Sequence, residues 1–160
     1  MSLERSIMGN PDRQSKIARM LQEVDLYLDE HADRTTGRYL WEAFGHDSKS
    51  QVRGLQQTVY STTRFYDIIA FIKNQMGKEG KTPQWNRAIP DAENRRMGDI
   101  LIEGFETLLR EGERIAREIG AGDEPDLGPF PIALRLARGW VRQITAEYLY
   151  QQVLKEGEAR

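Results

Sequence analysis

Apolar side chains recur every three or four residues through most of this chain, and that periodicity restricts its fold more than any other feature. After Asn10-Pro11, for example, apolar residues stand at positions 17, 20, 21, 24, 27 and 28. This spacing places them on one face of a helix, whereas the alternating runs that are typical of strands are nearly absent. The sequence therefore predicts an all-α fold, a single compact bundle of five to six helices over residues 1–160.

Capping residues, glycines and prolines place the ends of the predicted helices. Asn10 is expected to cap the first helix. The helices are expected over about residues 11–31, 38–44, 48–60, 65–77, 91–119 and 131–155. The polar run Ser61-Thr62-Thr63 separates the third helix from the fourth. Loops are expected near residues 77–90 and 120–131, with Trp85 exposed in the first of them, and residues 1–10 are expected to be disordered.

The composition excludes several classes of protein. Apolar residues make up 39% and charged residues 30% of the 160 residues, which is too apolar for a disordered chain and too polar for a membrane one. No run approaches the roughly 20 apolar residues of a membrane span, and residues 1–12 lack the apolar core of a secretory signal. We therefore expect a cytoplasmic protein that does not contact a membrane. Because the chain has no cysteine, disulfides, thiolate metal sites and a cysteine nucleophile are excluded.

Candidate catalytic residues are few, and we expect no enzyme, no cofactor and no metal. His31 and His46 lie in no metal-binding motif and are interpreted as surface or capping histidines. Glu103 and Glu106 have the spacing of a carboxylate pair that could bind magnesium, but they fall largely outside the apolar face of their helix. No serine has the context of a nucleophile, and the glycines form no phosphate-binding loop. A magnesium-dependent helical hydrolase that uses Glu103 and Glu106 remains an alternative.

The charge is unevenly distributed along the chain, although the formal net charge is only −2. Residues 49–98 hold nine basic and four acidic side chains, so their net charge is +5. Residues 99–126 hold three basic and nine acidic side chains, so their net charge is −6. This asymmetry suggests two different partners. The acidic segment could meet the basic segment of the next copy and so form a filament, or both could be ordinary solvated faces.

Two predicted helices carry basic residues at one-turn spacing. Arg135, Arg138 and Arg142 share the outer face of the last helix, where no acid lies between Asp126 and Glu147. Lys49 and Arg53 begin a similar stripe on the third helix, which Gln57, Tyr60 and Arg64 would extend. Basic side chains repeated in this way can contact the phosphates of a nucleic-acid strand without reading its bases. A protein partner with an acidic surface, or no function at all, are the alternatives.

Short motifs in these helices also suggest a family. The segment Gln51-Val52-Arg53-Gly54-Leu55 is followed by Val59 and Ala70-Phe71-Ile72-Lys73, and the last helix carries Ala133-Leu134 and Trp140-Val141-Arg142. In content and order these two blocks resemble the small subunit of type III-B (Cmr) CRISPR RNA-guided effector complexes. Gln56 stands where that family has a proline, and residues 63–65 stand where it has Asn-Gly-Leu. The related small subunits of other type III complexes therefore also remain candidates.

The resemblance implies a helical subunit without catalytic activity that acts in antiviral defence. Its copies would stack as an inner filament of the ribonucleoprotein and line the channel for guide RNA and target RNA. They would also contact the backbone subunits and the large subunit. Arg53, Lys73 and Arg142 match positions that are basic in the family, whereas Lys49, Arg64, Arg135 and Arg138 are candidates from helical geometry alone. A helical adaptor that binds other proteins is the alternative to RNA contact.

Overall fold

The computed structural model describes residues 11–78 and 80–159, with side chains through Glu158. Six α-helices run through these residues: α1 (Pro11–Glu30), α2 (Arg34–Phe44), α3 (Lys49–Ser61), α4 (Phe65–Gly77), α5 (Met97–Glu118) and α6 (Pro129–Ala159). The only strands in the described ranges are β1 (Ala88–Ile89) and β2 (Arg95–Arg96), an antiparallel pair between α4 and α5. The predicted all-α bundle is thus confirmed. The Asn10 cap and the expected disorder of residues 1–10 lie outside the described residues.

Helix α6 is the central element of the bundle. It packs most extensively on α5 and α2 and also contacts α1, α3 and α4. Its inner face is made of small and β-branched side chains that solvent does not reach, namely Ile132, Ala133, Ala137, Val141 and Ile144. At 1.5 Å per residue its 31 residues span about 46 Å. A helix of this length reaches the other five helices, and its inner face is part of one continuous core. Its opposite face stays exposed to solvent.

Local capping explains where several helices begin and end. Asp33 caps α2 because its Oδ1 accepts a hydrogen bond from the backbone N–H of Thr36 at 2.9 Å, so this helix begins four residues before the predicted position. Gly45, with a φ of 58°, ends α2 as predicted. The predicted break between α3 and α4 is also present, at Thr62–Arg64.

Three predicted boundaries of the two long helices were wrong. Helix α5 begins at Met97 and not near Asp91, because β2 occupies the two preceding residues and the Met97 N–H donates to the Arg87 carbonyl at 2.9 Å. Helix α6 begins at Pro129, two residues before the predicted start. It continues to Ala159, past the predicted end at Lys155. Proline is common in the first turn of a helix. The N–H groups of that turn have no hydrogen-bond partner within the helix, so the N–H that proline lacks costs no hydrogen bond there.

Trp85 was predicted to be exposed, and this prediction was wrong. Its side chain is fully buried between the rings of Phe44 and Phe71, at centroid distances of 5.0 and 5.8 Å. The indole Nε1 donates a hydrogen bond to Gln51 at 3.0 Å. The segment after α4 therefore covers the core instead of presenting an aromatic side chain to another molecule.

None of the helices in the described ranges combines the length and the apolar character that a membrane crossing requires.

Candidate functional site

Helices α3 and α6 pack side by side in opposite directions. Near the end of α3, the Val59 and Thr62 carbonyls accept hydrogen bonds from Arg138. In its middle, Gln56 Nε2 donates to Thr145 Oγ1 at 3.2 Å. Near its start, Lys49 and Arg53 share a small surface depression of about 120 Å³ with Leu149. Positions 138, 142, 145 and 149 lie on one face of a helix, so this face of α6 runs along α3.

The two predicted basic stripes therefore meet in one place. We call this place the α3/α6 groove and define it by Lys49, Arg53 and Gln56 of α3 together with Arg142, Thr145 and Leu149 of α6. Arg53 and Arg142 are exposed, and Lys49 is half-buried. None of these three cations forms an ion pair or a side-chain hydrogen bond within the described residues. The groove thus presents three positive charges that no carboxylate of residues 11–78 or 80–158 compensates.

Arg138 does not lie free on the outer face of α6, and this part of the prediction was wrong. Its side chain is half-buried, with Nε 3.4 Å from the Val59 carbonyl oxygen and Nη2 3.0 Å from that of Thr62. The last carbonyls of a helix lack partners within the helix and carry partial negative charge, so a guanidinium stabilises them. Arg138 holds the end of α3 against α6, and its role in the groove is structural.

The other predicted basic residues lie around the groove or away from it. Arg135 is exposed near the end of α3, in a depression that it shares with Thr63 and with Asp126, whose carboxylate binds Arg13 at 2.6 Å. Arg64 is exposed in the turn before α4. Lys73 is exposed on α4, in a separate shallow depression with Phe71 and Asn74. The structure thus brings Lys49 and Arg53 together in one depression, has Arg142 exposed on the adjoining helix, and has Arg64 and Arg135 toward the end of α3. Lys73 lies apart from them.

Much of the acidic segment at residues 99–126 is paired with arginines of the same molecule. Asp99 binds Arg96 and Glu103 binds Arg95, and both arginines come from the basic segment. Glu111 and Glu118 bind Arg114, and their hydrogen bonds raise the pKa of its guanidinium above the ordinary value. Glu124 and Asp126 bind Arg13. Three arginines from outside the segment, Arg13, Arg95 and Arg96, therefore offset about half of its net charge inside the folded chain, and Arg114 pairs with acids of its own segment.

The residues considered for metal binding or catalysis are dispersed. His31 stacks on Tyr27 at 4.2 Å and its Nδ1 lies 3.1 Å from the Tyr27 carbonyl at the end of α1, which fits its interpretation as a capping histidine. Glu103 and Glu106 are both exposed, and Glu103 is bound to Arg95. Within the described residues no group of three or more histidine, aspartate and glutamate side chains is placed to hold a metal ion.

Sequence reasoning missed two polar residues of the groove. Gln56 was noted only as a departure from the family pattern, and Thr145 was not considered. Thr145 stands three residues after Arg142 and seven after Arg138, so helical spacing could have placed it on the same face. The bond between Gln56 and Thr145 joins residues 89 positions apart, and no local pattern in the sequence contains it.

Comparison with known proteins does not assign the chain to a family: no protein-family model, curated protein or solved structure matches it. The resemblance to the CRISPR small subunits therefore stays a prediction.

Proposed function

We propose that this protein is a non-catalytic RNA-contacting subunit that binds RNA phosphates in the α3/α6 groove. Its ligands would be the guide RNA and target RNA of a type III CRISPR ribonucleoprotein, where it would also contact the backbone and large subunits. The observation that carries the proposal is that Lys49 and Arg53 line a depression between α3 and α6. Arg142 is exposed on α6 three residues, about one turn, before Thr145, which lines the same depression. The three cations come from sequence positions about 90 apart, and none of them is neutralised within the described residues.

The pairing pattern of the rest of the molecule supports this proposal. Elsewhere on the surface, arginines pair with carboxylates of the same chain, namely Arg13, Arg95, Arg96 and Arg114. The cations of the groove differ from these arginines because they have no such partner within the described residues. Around the groove, Gln56 and Thr145 stand where acids would neutralise the cations. Thr145 is buried, and its hydroxyl donates to the Val141 carbonyl and accepts from Gln56, so these two side chains join the helices without adding an acid beside the cations.

The family resemblance adds a second line of support. Arg53 belongs to its first block and Arg142 to its second, and the two blocks pack against each other through the contact of α3 with α6. Lys73 matches a basic family position as well, but it lies on α4 outside the groove. An RNA contact at Lys73 would therefore belong to another part of the surface.

The test is a titration of the full chain with single-stranded RNA over a range of salt concentrations. We expect the Arg53→Ala/Arg142→Ala variant to bind more weakly and its slope of log K against log salt to be smaller by about 1.4, because each lost phosphate contact on a single strand removes about 0.7. Arg117→Ala is the matched control, since Arg117 is an exposed arginine of α5 without a salt bridge in the described residues. Equal affinity and equal slope for wild type and the double variant would refute the proposal.

A protein adaptor is the second candidate, and the end of α6 favours it. Leu149, Tyr150, Val153 and Leu154 are 40–62% exposed there. Contiguous exposed apolar side chains of this kind are typical of surfaces that contact other proteins. Retention of a co-purifying partner by the Arg53→Ala/Arg142→Ala variant, and its loss from a Val153→Asp/Leu154→Asp variant, would favour the adaptor. A ribonucleoprotein subunit would use both surfaces.

A further inference from the structure

Two aromatic side chains lie exposed against each other beyond the end of α3, about 18 Å along α6 from the Arg142 end of the α3/α6 groove. Tyr66 in the first turn of α4 is 58% exposed, and Phe130 in the first turn of α6 is 45% exposed. Their ring centroids are 5.7 Å apart and the ring planes are inclined by 58°. We call them the aromatic pair. Exposed large aromatic rings are costly in water, and two in contact with each other form a small apolar patch on an otherwise charged surface.

The aromatic pair is held firmly. Tyr66 packs edge-to-face on Phe65 at 6.1 Å, and Phe65 is buried in the core against Phe105 at 6.4 Å. The turn before α4 is fixed by Thr62 Oγ1, which lies 3.1 Å from both the N–H and the carbonyl oxygen of Arg64. Because the helix ends that carry the two rings contact the core, the rings lose little conformational freedom when they bind a planar ligand.

Basic side chains lie between the aromatic pair and the groove, together with Asp126, whose carboxylate is bound to Arg13. Arg64 stands two residues before Tyr66, is exposed and forms no side-chain bond within the described residues. Thr62 and Thr63, immediately before it, lie against Arg138 and Arg135 of α6. Asp67 is the acidic residue in the first turn of α4, and it follows Tyr66 by a further 100° around the helix. The aromatic pair therefore continues the cationic surface beyond the end of α3.

We infer that the aromatic pair stacks on an unpaired nucleobase of an RNA strand whose phosphates lie in the α3/α6 groove. This inference rests on the proposed function and specifies its substrate as single-stranded RNA. Every base offers a flat π-face, so aromatic stacking tolerates any sequence, and Arg64 adds a cation beside the stacked base. A base inside a duplex is already stacked on its neighbours and is not available to the aromatic pair.

The experiment uses a single-stranded oligoribonucleotide that contains 2-aminopurine, whose fluorescence falls when the base stacks. A backbone of the same length built from abasic units and an RNA duplex serve as comparison ligands. For the full-length Tyr66→Ala and Phe130→Ala variants we expect about a ten-fold loss of affinity for the single strand, the size that one aromatic–base stack gives on alanine substitution. The quenching should be lost as well. Affinity for the abasic backbone and for the duplex should not change.

Ring-retaining and remote variants control for folding. Tyr66→Phe and Phe130→Tyr keep the rings and should bind the single strand as wild type does. Leu26→Ala removes an apolar side chain that is 50% exposed on α1 and should also leave binding unchanged. Circular dichroism melting of each variant excludes a loss of structure as the cause of weaker binding.

Each other outcome overturns a defined part of the argument. If the alanine variants bind the single strand as tightly as wild type, the aromatic pair does not stack on bases and the groove proposal stands alone. If they lose affinity for the abasic backbone to the same extent, the rings act through the phosphates or through the fold, and the inference fails. If wild type binds none of the three ligands, the proposed function and this inference fall together.

Discussion

Arg135, Arg138 and Arg142 are equivalent by helical spacing, yet the fold gives them different roles. Arg142 is exposed, whereas the guanidinium of Arg138 lies against the C-terminal end of α3 and donates to the Val59 and Thr62 carbonyls. The difference arises from where α3 ends, which is 76 residues away from Arg138 in the sequence. A periodicity argument places a side chain on a face but does not say whether another helix terminates against that face.

The first prediction follows from this difference. Arg138→Ala should lower the free energy of unfolding by about 2 kcal/mol, because it leaves two helix-terminal carbonyls without their charged donor. Arg142→Ala should change the free energy of unfolding by no more than about 0.5 kcal/mol, as exposed substitutions usually do. Urea unfolding of both variants measures the two values. If both variants are as stable as wild type, the bonds of Arg138 do not support the end of α3, and Arg138 belongs with the phosphate-binding candidates.

Trp85 shows a second limit of single-residue reasoning. Its segment has no helical period, contains Pro83 and Gly80, and therefore offers no pattern from which burial could be read. The indole is nevertheless placed by partners from α2, α3 and α4: Phe44, Gln51 and Phe71. An aromatic residue in a long irregular segment is a reason to expect a tertiary contact, but the sequence does not identify the contact.

At the scale of elements, the sequence predicts the apolar face of each helix, but it does not predict where two helices approach each other closely. The predicted inward positions of α3, α4 and α6, such as Leu55, Ile72 and Ala137, are buried. The contact between α5 and α6 depends on Gly104, because a Cβ at that position would overlap the indole ring of Trp140. Trp140 is in turn anchored by its Nε1–H, which donates to Asp33 Oδ2 at 3.0 Å. The sequence shows a glycine within a helical pattern but gives no reason for it.

Gly104→Ala is accordingly expected to destabilise the protein although alanine favours helices. The gain in helix propensity is about 1 kcal/mol, and the overlap with an indole that cannot move away should cost more than this. We expect a net loss of about 1–2 kcal/mol in the free energy of unfolding, together with a changed near-ultraviolet circular dichroism signal from the displaced tryptophan. Gly157→Ala is the control, since a Cβ at Gly157 meets nothing within 4 Å. A Gly104→Ala variant more stable than wild type would contradict the packing seen between α5 and α6.

At the scale of the whole molecule, the sequence correctly predicted the bundle, and it named the three basic residues from which the candidate site is built. The basic stripes were visible as periodic patterns, but their meeting in one groove depends on the antiparallel packing of α3 and α6, which residues distant in sequence create. For the acidic segment at residues 99–126, the fold reduces the feature that the sequence shows. The charge of this segment is visible in the sequence, whereas its partial compensation by Arg13, Arg95 and Arg96 appears only in the fold. Long-range pairing therefore decides which charges are left for a partner.

One buried tyrosine, Tyr148, and one half-buried tyrosine, Tyr27, make the stability of the whole bundle sensitive to alkaline pH. Burial raises the pKa of Tyr148, whose hydroxyl donates to the Gly45 carbonyl, above its ordinary value of 10.0. Burial, together with the nearby Glu111 carboxylate, raises the pKa of Tyr27. The folded state thus binds these phenolic protons more tightly than the unfolded state does. Their contribution to stability is complete below about pH 10 and is lost as the pH rises through the raised values.

We therefore expect the free energy of unfolding to hold level from about pH 7 to 9 and to fall above about pH 10. Lysines also titrate in that range, so the comparison with Tyr148→Phe isolates the effect. This variant should lose about 1 kcal/mol at neutral pH with the bond to Gly45, yet decline less steeply than wild type between about pH 9 and 11, because it has no phenol to ionise there. Urea unfolding at each pH measures both slopes. If the two slopes are equal, the buried phenol of Tyr148 does not contribute to alkaline unfolding, and its burial against α2 does not hold in solution.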